Sequence, residues 1–200
     1  MNSVSNVLFF SLVRGSHMAK TITSVKIMGF GKQSDTPQAL GEVLRSISSL
    51  TNLELFPAGC QYDPMDLEHS LWERLGLSRC KALQVLELPI PFAQHVNEMC
   101  MWLIHWFSAV PHLPVSIKEM QFAMVCLPKV PVASSNPNMG LWAVLDRAIM
   151  DAPPQIHVKI TLKEGLMSQI TPAAEREAMK VVVFECLPET VKSGRLVVFE

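Results

Sequence analysis

The sequence predicts an α/β fold of about six parallel strands alternating with helices, stacked as an irregular solenoid. Three observations predict it. A degenerate six-residue pattern, apolar at positions 1, 4 and 6, recurs along the chain. Helix-like apolar stripes separate its occurrences, and the strand positions between the apolar residues are polar.

The pattern is carried by Ile22, Val25 and Ile27, then by Leu50, Leu53 and Leu55. Leu83, Leu86 and Leu88 repeat it, as do Ile117, Met120 and Phe122. Val158 with Ile160 and Leu196 with Val198 keep only the last pair. This is the L-x-x-L-x-L core of a leucine-rich repeat. The fourth-position residues lie 28, 33, 34, 38 and 38 apart, whereas regular leucine-rich repeats span about 20–29 residues. The predicted solenoid is therefore leucine-rich-repeat-like and irregular.

The helices between strands have their own signals. Thr36-Pro37 starts one, with threonine as N-cap and proline at the first helical position, and Leu40, Val43, Leu44, Ile47 and Leu50 form its stripe. Asp63-Pro64 starts a second, with Leu67, Leu71, Leu75 and Leu77 behind it. Val96, Met99, Leu103, Trp106, Phe107 and Val110 line one side of a third. Asn138 opens a fourth through Leu141, Trp142, Leu145 and Ile149, and Pro153-Pro154 stops it. Thr171-Pro172 opens the last, with Met179, Val182, Val183 and Leu187. Strands alternating with helices imply parallel pairing through crossovers. A doubly wound sheet gives the same alternation, but its central strands read as continuous apolar runs. Here the fifth positions are Lys26, Glu54, Glu87, Gln121 and Lys159, so one strand face is wet, like the concave side of a horseshoe.

Composition bounds the function. Of 200 residues, 18% are charged and 49% are hydrophobic, with a net charge of −1 and a mean hydropathy of +0.25. That is too apolar for intrinsic disorder and too near neutrality for a basic nucleic-acid binder. No membrane association is expected either: the oiliest run, Met99–Ile104, is bounded by Asn97, Glu98, His105 and Pro111, far short of the ~20 apolar residues a span needs. The apolar patch Val7–Val13 has no basic residue before it and Arg14 directly after it, a weak imitation of a signal peptide. Residues 1–21 are read as a poorly ordered tail and 22–200 as one leucine-rich-repeat-like domain. Five cysteines with gaps of 20, 20, 26 and 60 make neither a disulfide framework nor a zinc ribbon. Cys100, Cys126 and Cys186 stand in apolar company, which fits a reducing compartment, cytoplasm or nucleus.

The C-terminal part carries a resemblance. Trp142, Leu145, Asp146 and Ile149 lead to Ile156, Val158 and Ile160, then to Phe184, Leu187 and Pro188, and Gly194-Arg195-Leu196 closes the series. This order resembles the repeat region of the F-box-like leucine-rich-repeat proteins of mushroom-forming fungi: a W-x-x-L-D helix, a strand, an F-x-x-x-L-P helix (here one residue shorter, Phe184-Glu185-Cys186-Leu187-Pro188), a small-residue turn and a last strand. The resemblance covers roughly residues 21 to 200. It implies a non-enzymatic recognition module for a protein partner, the substrate-recognition part of an F-box-like protein. An F-box binds a cullin-ligase adaptor through an L-P-x-E/D-L-L signature. None stands before Ile22, so adaptor binding is expected only with an F-box encoded upstream.

Candidate chemistry is sparse. There is no G-x-S-x-G, phosphate-loop or H-E-x-x-H motif, and no catalytic residue, cofactor or metal is expected. Gly29-Phe30-Gly31 reads as a turn after the first strand. His95, Cys100 and His105, each five residues apart, turn about 500° per step and share no helix face. Asp63, Asp66 and Glu68 suit the positive end of a helix dipole, and Glu175, Arg176 and Glu177 suit a solvated face. Trp102 and Trp106, one turn apart, pack in the core or, facing outward, anchor a partner. The expected partner-binding column is Lys26, Glu54, Glu87, Gln121 and Lys159; the same residues also suit plain cross-strand ion pairs. Ser24, Asn52, Val85, Glu119, His157 and Arg195 flank the column on one side. Met28, Phe56, Pro89, Ala123 and Thr161 flank it on the other. Two other readings remain open: a doubly wound enzyme drawing on Gln33, Asp35, Gln61 and Glu164, or a degenerate fragment. The apolar patches at Val7–Val13 and Met99–Phe107 are the expected docking places for a missing neighbour.

Overall fold

The computed structural model of the chain describes residues 20–30, 36–57, 70–90, 93, 95–124, 137–162 and 173–198. Six strands lie in one parallel sheet in the order β1 to β6: β1 Ser24–Phe30, β2 Asn52–Pro57, β3 Val85–Ile90, β4 Glu119–Met124, β5 His157–Leu162 and β6 Leu196–Val198. The helices are α1 Thr36–Ser46, α2 Ser70–Leu75, α3 Val96–Phe107, α4 Met139–Asp151, α5 Ala173–Cys186 and α6 Pro188–Lys192, with 3-10 turns at Leu77–Arg79 and Val110–His112. The α/β alternation expected from sequence is present. Among the described strands the order does not reverse along the sheet, whereas doubly wound sheets hold ligands at the point where it does. The described residues divide into two compact units. One comprises those of Met1–Leu86 with Ala109–Ile117, the other those of Glu87–Ser108 with Lys118–Glu200.

In the first unit, Val25 pairs with Leu53 and Ile27 with Leu55, fourth position on fourth and sixth on sixth. Each strand starts two residues after the motif does, because positions 1 and 2 form the turn into it. The turn is tied by backbone: Thr51 and Asn52 N–H groups donate to the Thr23 carbonyl, and Gln84 and Val85 donate to that of Thr51. A hydroxyl just before position 1 reinforces it. Ser49 Oγ donates to the Ile22 carbonyl at 2.8 Å and Ser116 Oγ to the Leu83 carbonyl at 2.7 Å. The two serines hold equivalent places in their repeats and use equivalent acceptors, a ladder that the apolar pattern does not show.

The first strand differs from expectation at its end. Gly29 and Phe30 belong to β1, not to a turn. Met28 pairs with Phe56 and Phe30 with Pro57, so Gly29 is the extra residue of a bulge, where the missing side chain eases the bend. Gly31 lies outside the described residues. The α1 stripe Leu40, Val43, Leu44 and Ile47 is buried. A Cβ on Gly41 would sit 2.2 Å from the Leu75 carbonyl oxygen, so only glycine lets the end of α2 lie against α1. The chain leaves α2 through Gly76 at φ +58°, a left-handed position natural to glycine. The predicted start at Asp63-Pro64, with Leu67, lies outside the described residues.

In the second unit, Met120 pairs with Val158 and Val158 with Leu196, so the degenerate late repeats keep the phase. Asn138 caps α4 as expected, its Oδ1 accepting from the N–H groups of Gly140 and Leu141 at 3.1 and 3.3 Å. Its own N–H reaches the Asn97 side chain at 2.8 Å. The expected docking surface on Met99–Phe107 does not survive. Met99, Cys100, Trp102, Leu103, Trp106 and Phe107 are all buried, and only Met101, 40% exposed, faces out among the large apolar residues. The other expected patch, Val7–Val13, lies outside the described residues, as does the tail apart from Lys20 and Thr21.

Two buried polar groups close this unit. Leu187, at the N-cap of α6, has no side-chain acceptor to offer. Asp146 supplies one from α4: Oδ2 accepts from the Glu189 N–H at 3.1 Å, and Oδ1 accepts from the Thr190 N–H at 2.9 Å and from its hydroxyl. Arg195, 6% exposed, donates from its guanidinium to the carbonyls of Ile156, Ala152 and Pro153 at 3.0, 3.3 and 3.0 Å. Burial lowers its pKa, and the three carbonyls, at the C-cap of α4 and in the turn that follows it, take up its N–H groups. Gly194, φ +71°, makes the turn between the two groups.

Cys80, Cys100 and Cys186 are buried free thiols; Cys60 and Cys126 lie outside the described residues. Burial pushes all three thiols up, with Arg45 partly opposing it at Cys80. Among the described residues, no helix is long and apolar enough to cross a membrane.

Two predictions follow from this packing. Asp146→Ala strands two helix N–H groups and a buried hydroxyl, at a cost of about 2–3 kcal/mol. Asp146→Asn, which keeps one oxygen acceptor, should cost less. Urea unfolding measures both, and an alanine variant as stable as the parent would show that the cap carries nothing. The second concerns pH. Burial, with Glu185 adding, raises the Cys186 thiol from 9.0 to about 11, so the folded state holds this proton more tightly than the unfolded one. Its stabilising contribution is whole below pH 9.0 and is lost as pH climbs towards about 11. Iodoacetamide at mildly alkaline pH should accordingly spare Cys100 and Cys186 until denaturant is added. Ready labelling of the folded chain at either thiol contradicts this.

Candidate functional site

The fifth position of each repeat points away from the fourth and sixth, which are buried on β2, β3, β4 and β5, because side chains alternate across a strand. In the first unit this places Lys26 beside Glu54. Their side chains form an ion pair at 2.8 Å, 50% and 18% exposed respectively. The Lys26 ammonium also stands 5.1 Å from the centre of the Phe56 ring. Ser24 and Asn52 lie in register on one side, both exposed. The cross-strand ion pair expected at this position is thus formed, and it already neutralises the most exposed charge of the patch.

In the second unit Gln121 aligns with Lys159, and Lys159 with Val197. Glu119 aligns with His157, and the Gln121 amide donates to the Glu119 carboxylate. Glu87 lies on β3, half-buried. The far flank is drier than expected: Pro89 and Ala123 are buried. Arg195 leaves the flank altogether, since its guanidinium serves the end of α4. What this face offers in the second unit is a mixed-sign polar surface that includes His157 and Lys159.

The outward-anchor reading of Trp102 and Trp106 is corrected. They stack on each other at 5.6 Å, and Trp106 donates its indole N–H to the Pro89 carbonyl at 2.7 Å. With 4% and 0% exposure, they are core residues. His105 lies edge-on against both rings, and His95 stands exposed at the N-cap of α3. With Cys100 buried, the three share no site. Among the described residues no cluster of three histidine, cysteine or acidic side chains could hold a metal ion. Asp63, Asp66, Glu68, Gln33, Asp35, Gln61 and Glu164 lie outside the described residues. Glu175 and Glu177 are exposed on α5, as a solvated face requires.

Sequence reading missed a polar cleft among the helices of the first unit, lined by Arg45, Arg74, Arg79 and His112 together with Gln38, Trp72, Glu73, Gly76 and Ser78. No motif marks it, because its residues come from three separate stretches of chain. A search of protein-family models matches none of them to this chain, and no curated protein matches it.

For the strand face, a double-mutant cycle on Lys26→Ala and Glu54→Ala should give a coupling of about 0.2–1 kcal/mol that fades in high salt. A larger, salt-insensitive coupling would place the pair in a dry environment, unlike the exposed one here.

Proposed function

We propose that the chain is a protein-interaction module with no catalytic activity of its own, which recognises its partner through the polar fifth-position face of its strands. The observation that carries this reading is the register. Repeats of unequal length still bring fourth position onto fourth in both units, so unrelated polar residues are delivered to one kind of place, strand after strand. That is how a repeat protein builds a recognition surface. The absence of strand-order reversal weighs against the doubly wound enzyme. The arrangement supports a leucine-rich-repeat-like solenoid, and the C-terminal resemblance extends the proposal to the substrate-recognition part of an F-box-like protein. Three buried free thiols support a home in the cytoplasm or nucleus. Mixed charge on the face favours a protein partner over a phosphate backbone, which wants clustered lysine and arginine.

The test is comparative capture. The full chain and its charge-reversed variants, Glu54→Lys in one unit and Glu87→Lys in the other, are used as bait, and the retained proteins are quantified by mass spectrometry. At least one protein should fall by about tenfold or more on a variant whose thermal unfolding matches the parent. Retention of every captured protein by both folded variants would sink the site. An upstream coding sequence without an L-P-x-E/D-L-L signature would sink the F-box extension alone.

A further inference from the structure

Three guanidiniums and an imidazole line one cleft of about 460 Å³ in the first unit, and among the described lining residues Glu73 is the carboxylate. The chain as a whole is near neutral, with 17 basic and 18 acidic residues. Here basic groups accumulate. Two α1 residues, Gln38 and Arg45, form part of the wall; α2 and the turn after it contribute Trp72, Arg74, Ser78 and Arg79; His112 comes from the second 3-10 turn.

Arg45 is held in place before any ligand arrives. Its Nη1 donates to the Leu75 carbonyl at 3.3 Å, and the same nitrogen lies 2.7 Å from where a Cβ on Gly76 would be. Glycine at 76 therefore makes room for the guanidinium as well as the turn. Gly41, by letting Leu75 approach α1, sets the acceptor to which Arg45 is tied. The ring of Trp72, 2% exposed, makes a rigid floor, and Arg79 stands exposed at the rim.

We propose that this cleft binds the phosphate group of a small phosphomonoester. A guanidinium presents a planar fork of donors that matches a phosphate two oxygens at a time, and a fixed fork loses little freedom on binding. Two or three forks lining one cleft exceed what a single carboxylate ligand can use, whereas a dianionic phosphate has three oxygens to share. The volume is larger than a bare phosphate requires and falls in the ordinary range of small-molecule pockets, about 300–1,000 Å³. The bound molecule accordingly carries an organic group, which Gln38, Ser78 and the Trp72 floor are placed to meet. The lining residues all come from helices and turns, so this site is separate from the strand face and does not depend on the function proposed for it.

The experiment is calorimetric titration of the full chain, at constant ionic strength, with inorganic phosphate, phenyl phosphate, benzoate and a phosphoserine peptide. Phenyl phosphate should bind saturably and more tightly than inorganic phosphate, with benzoate weaker than either. Arg79→Glu, at an exposed position, should weaken phenyl phosphate by about tenfold or more without changing thermal unfolding. Arg45→Gln tests the tethered fork, and Glu54→Lys on the strand face should leave binding unchanged. Absence of saturable binding up to millimolar phenyl phosphate overturns the proposal. Equal affinity in a folded Arg79→Glu variant overturns it too. A phosphoserine peptide bound about tenfold more tightly than phenyl phosphate would overturn the small-molecule assignment in favour of a modified protein.

Discussion

A parallel strand can be reached only through a crossover, and the crossovers here differ in length by as much as ten residues between fourth positions 28 and 38 apart. What keeps them in phase is the turn into each strand. The carbonyls of Thr23 and Thr51 each accept from the next repeat's backbone, and the Lys118 carbonyl accepts from the His157 N–H in the same manner. Ser49 and Ser116 clamp the position-1 carbonyls of the preceding repeats. A slip of one residue would turn every fourth and sixth position to the wet face, so these few hydrogen bonds decide where Leu53, Met120 and Val158 are buried. They decide as well where Lys26, Glu54, Gln121 and Lys159 emerge. Crossover length is then free to vary.

The same economy governs helix ends. A helix leaves backbone groups unpaired at each terminus, and a buried terminus must find partners for them. Asn138 does so locally for α4. Asp146, from within α4, does it for α6, and Arg195 does it for the Ala152 carbonyl at the C-cap of α4 while also reaching Pro153 and Ile156 beyond it. These three groups knit α4, α6 and the turn into β6 within one unit. They also give a physical reason for the co-occurrence of W-x-x-L-D, L-P and G-R-L: the aspartate needs the N–H groups that follow Leu187-Pro188, and the arginine needs the carbonyls that follow the tryptophan helix. Replacing any one piece leaves the others with unsatisfied buried polarity.

Strand positions were legible because an apolar pattern at 1, 4 and 6 has one structural meaning once it recurs. Helix α4 was legible because its cap and stop are both local, at Asn138 and Pro153. The bulge at Gly29 was not, since a glycine after a strand reads equally as a turn and only the pairing partners Phe56 and Pro57 distinguish the two. Trp102 and Trp106 were undecided for a related reason: helical spacing shows that they share a face, but not what lies opposite it. Arg195 was misplaced because its sequence position extends the strand pattern, while its long side chain answers to carbonyls about forty residues earlier. The arginine cleft was invisible for the strongest reason, as tertiary packing alone brings its three stretches of chain together.

The two candidate surfaces differ in how far the chain has already satisfied them. On the strand face Lys26 has both Glu54 and the Phe56 ring, and Gln121 has Glu119. A protein partner must exchange these contacts for its own, so the charges there confer selectivity and correct register more than raw affinity. Affinity on such a face has to come from the apolar residues beside the charges, of which Phe56 is the most available. The cleft is the reverse case. Arg45 is fixed by a neutral carbonyl, which orders the guanidinium without cancelling its charge, and Arg79 stands exposed at the rim. The strand face is therefore suited to discrimination among large partners, and the cleft to holding a small, strongly charged one.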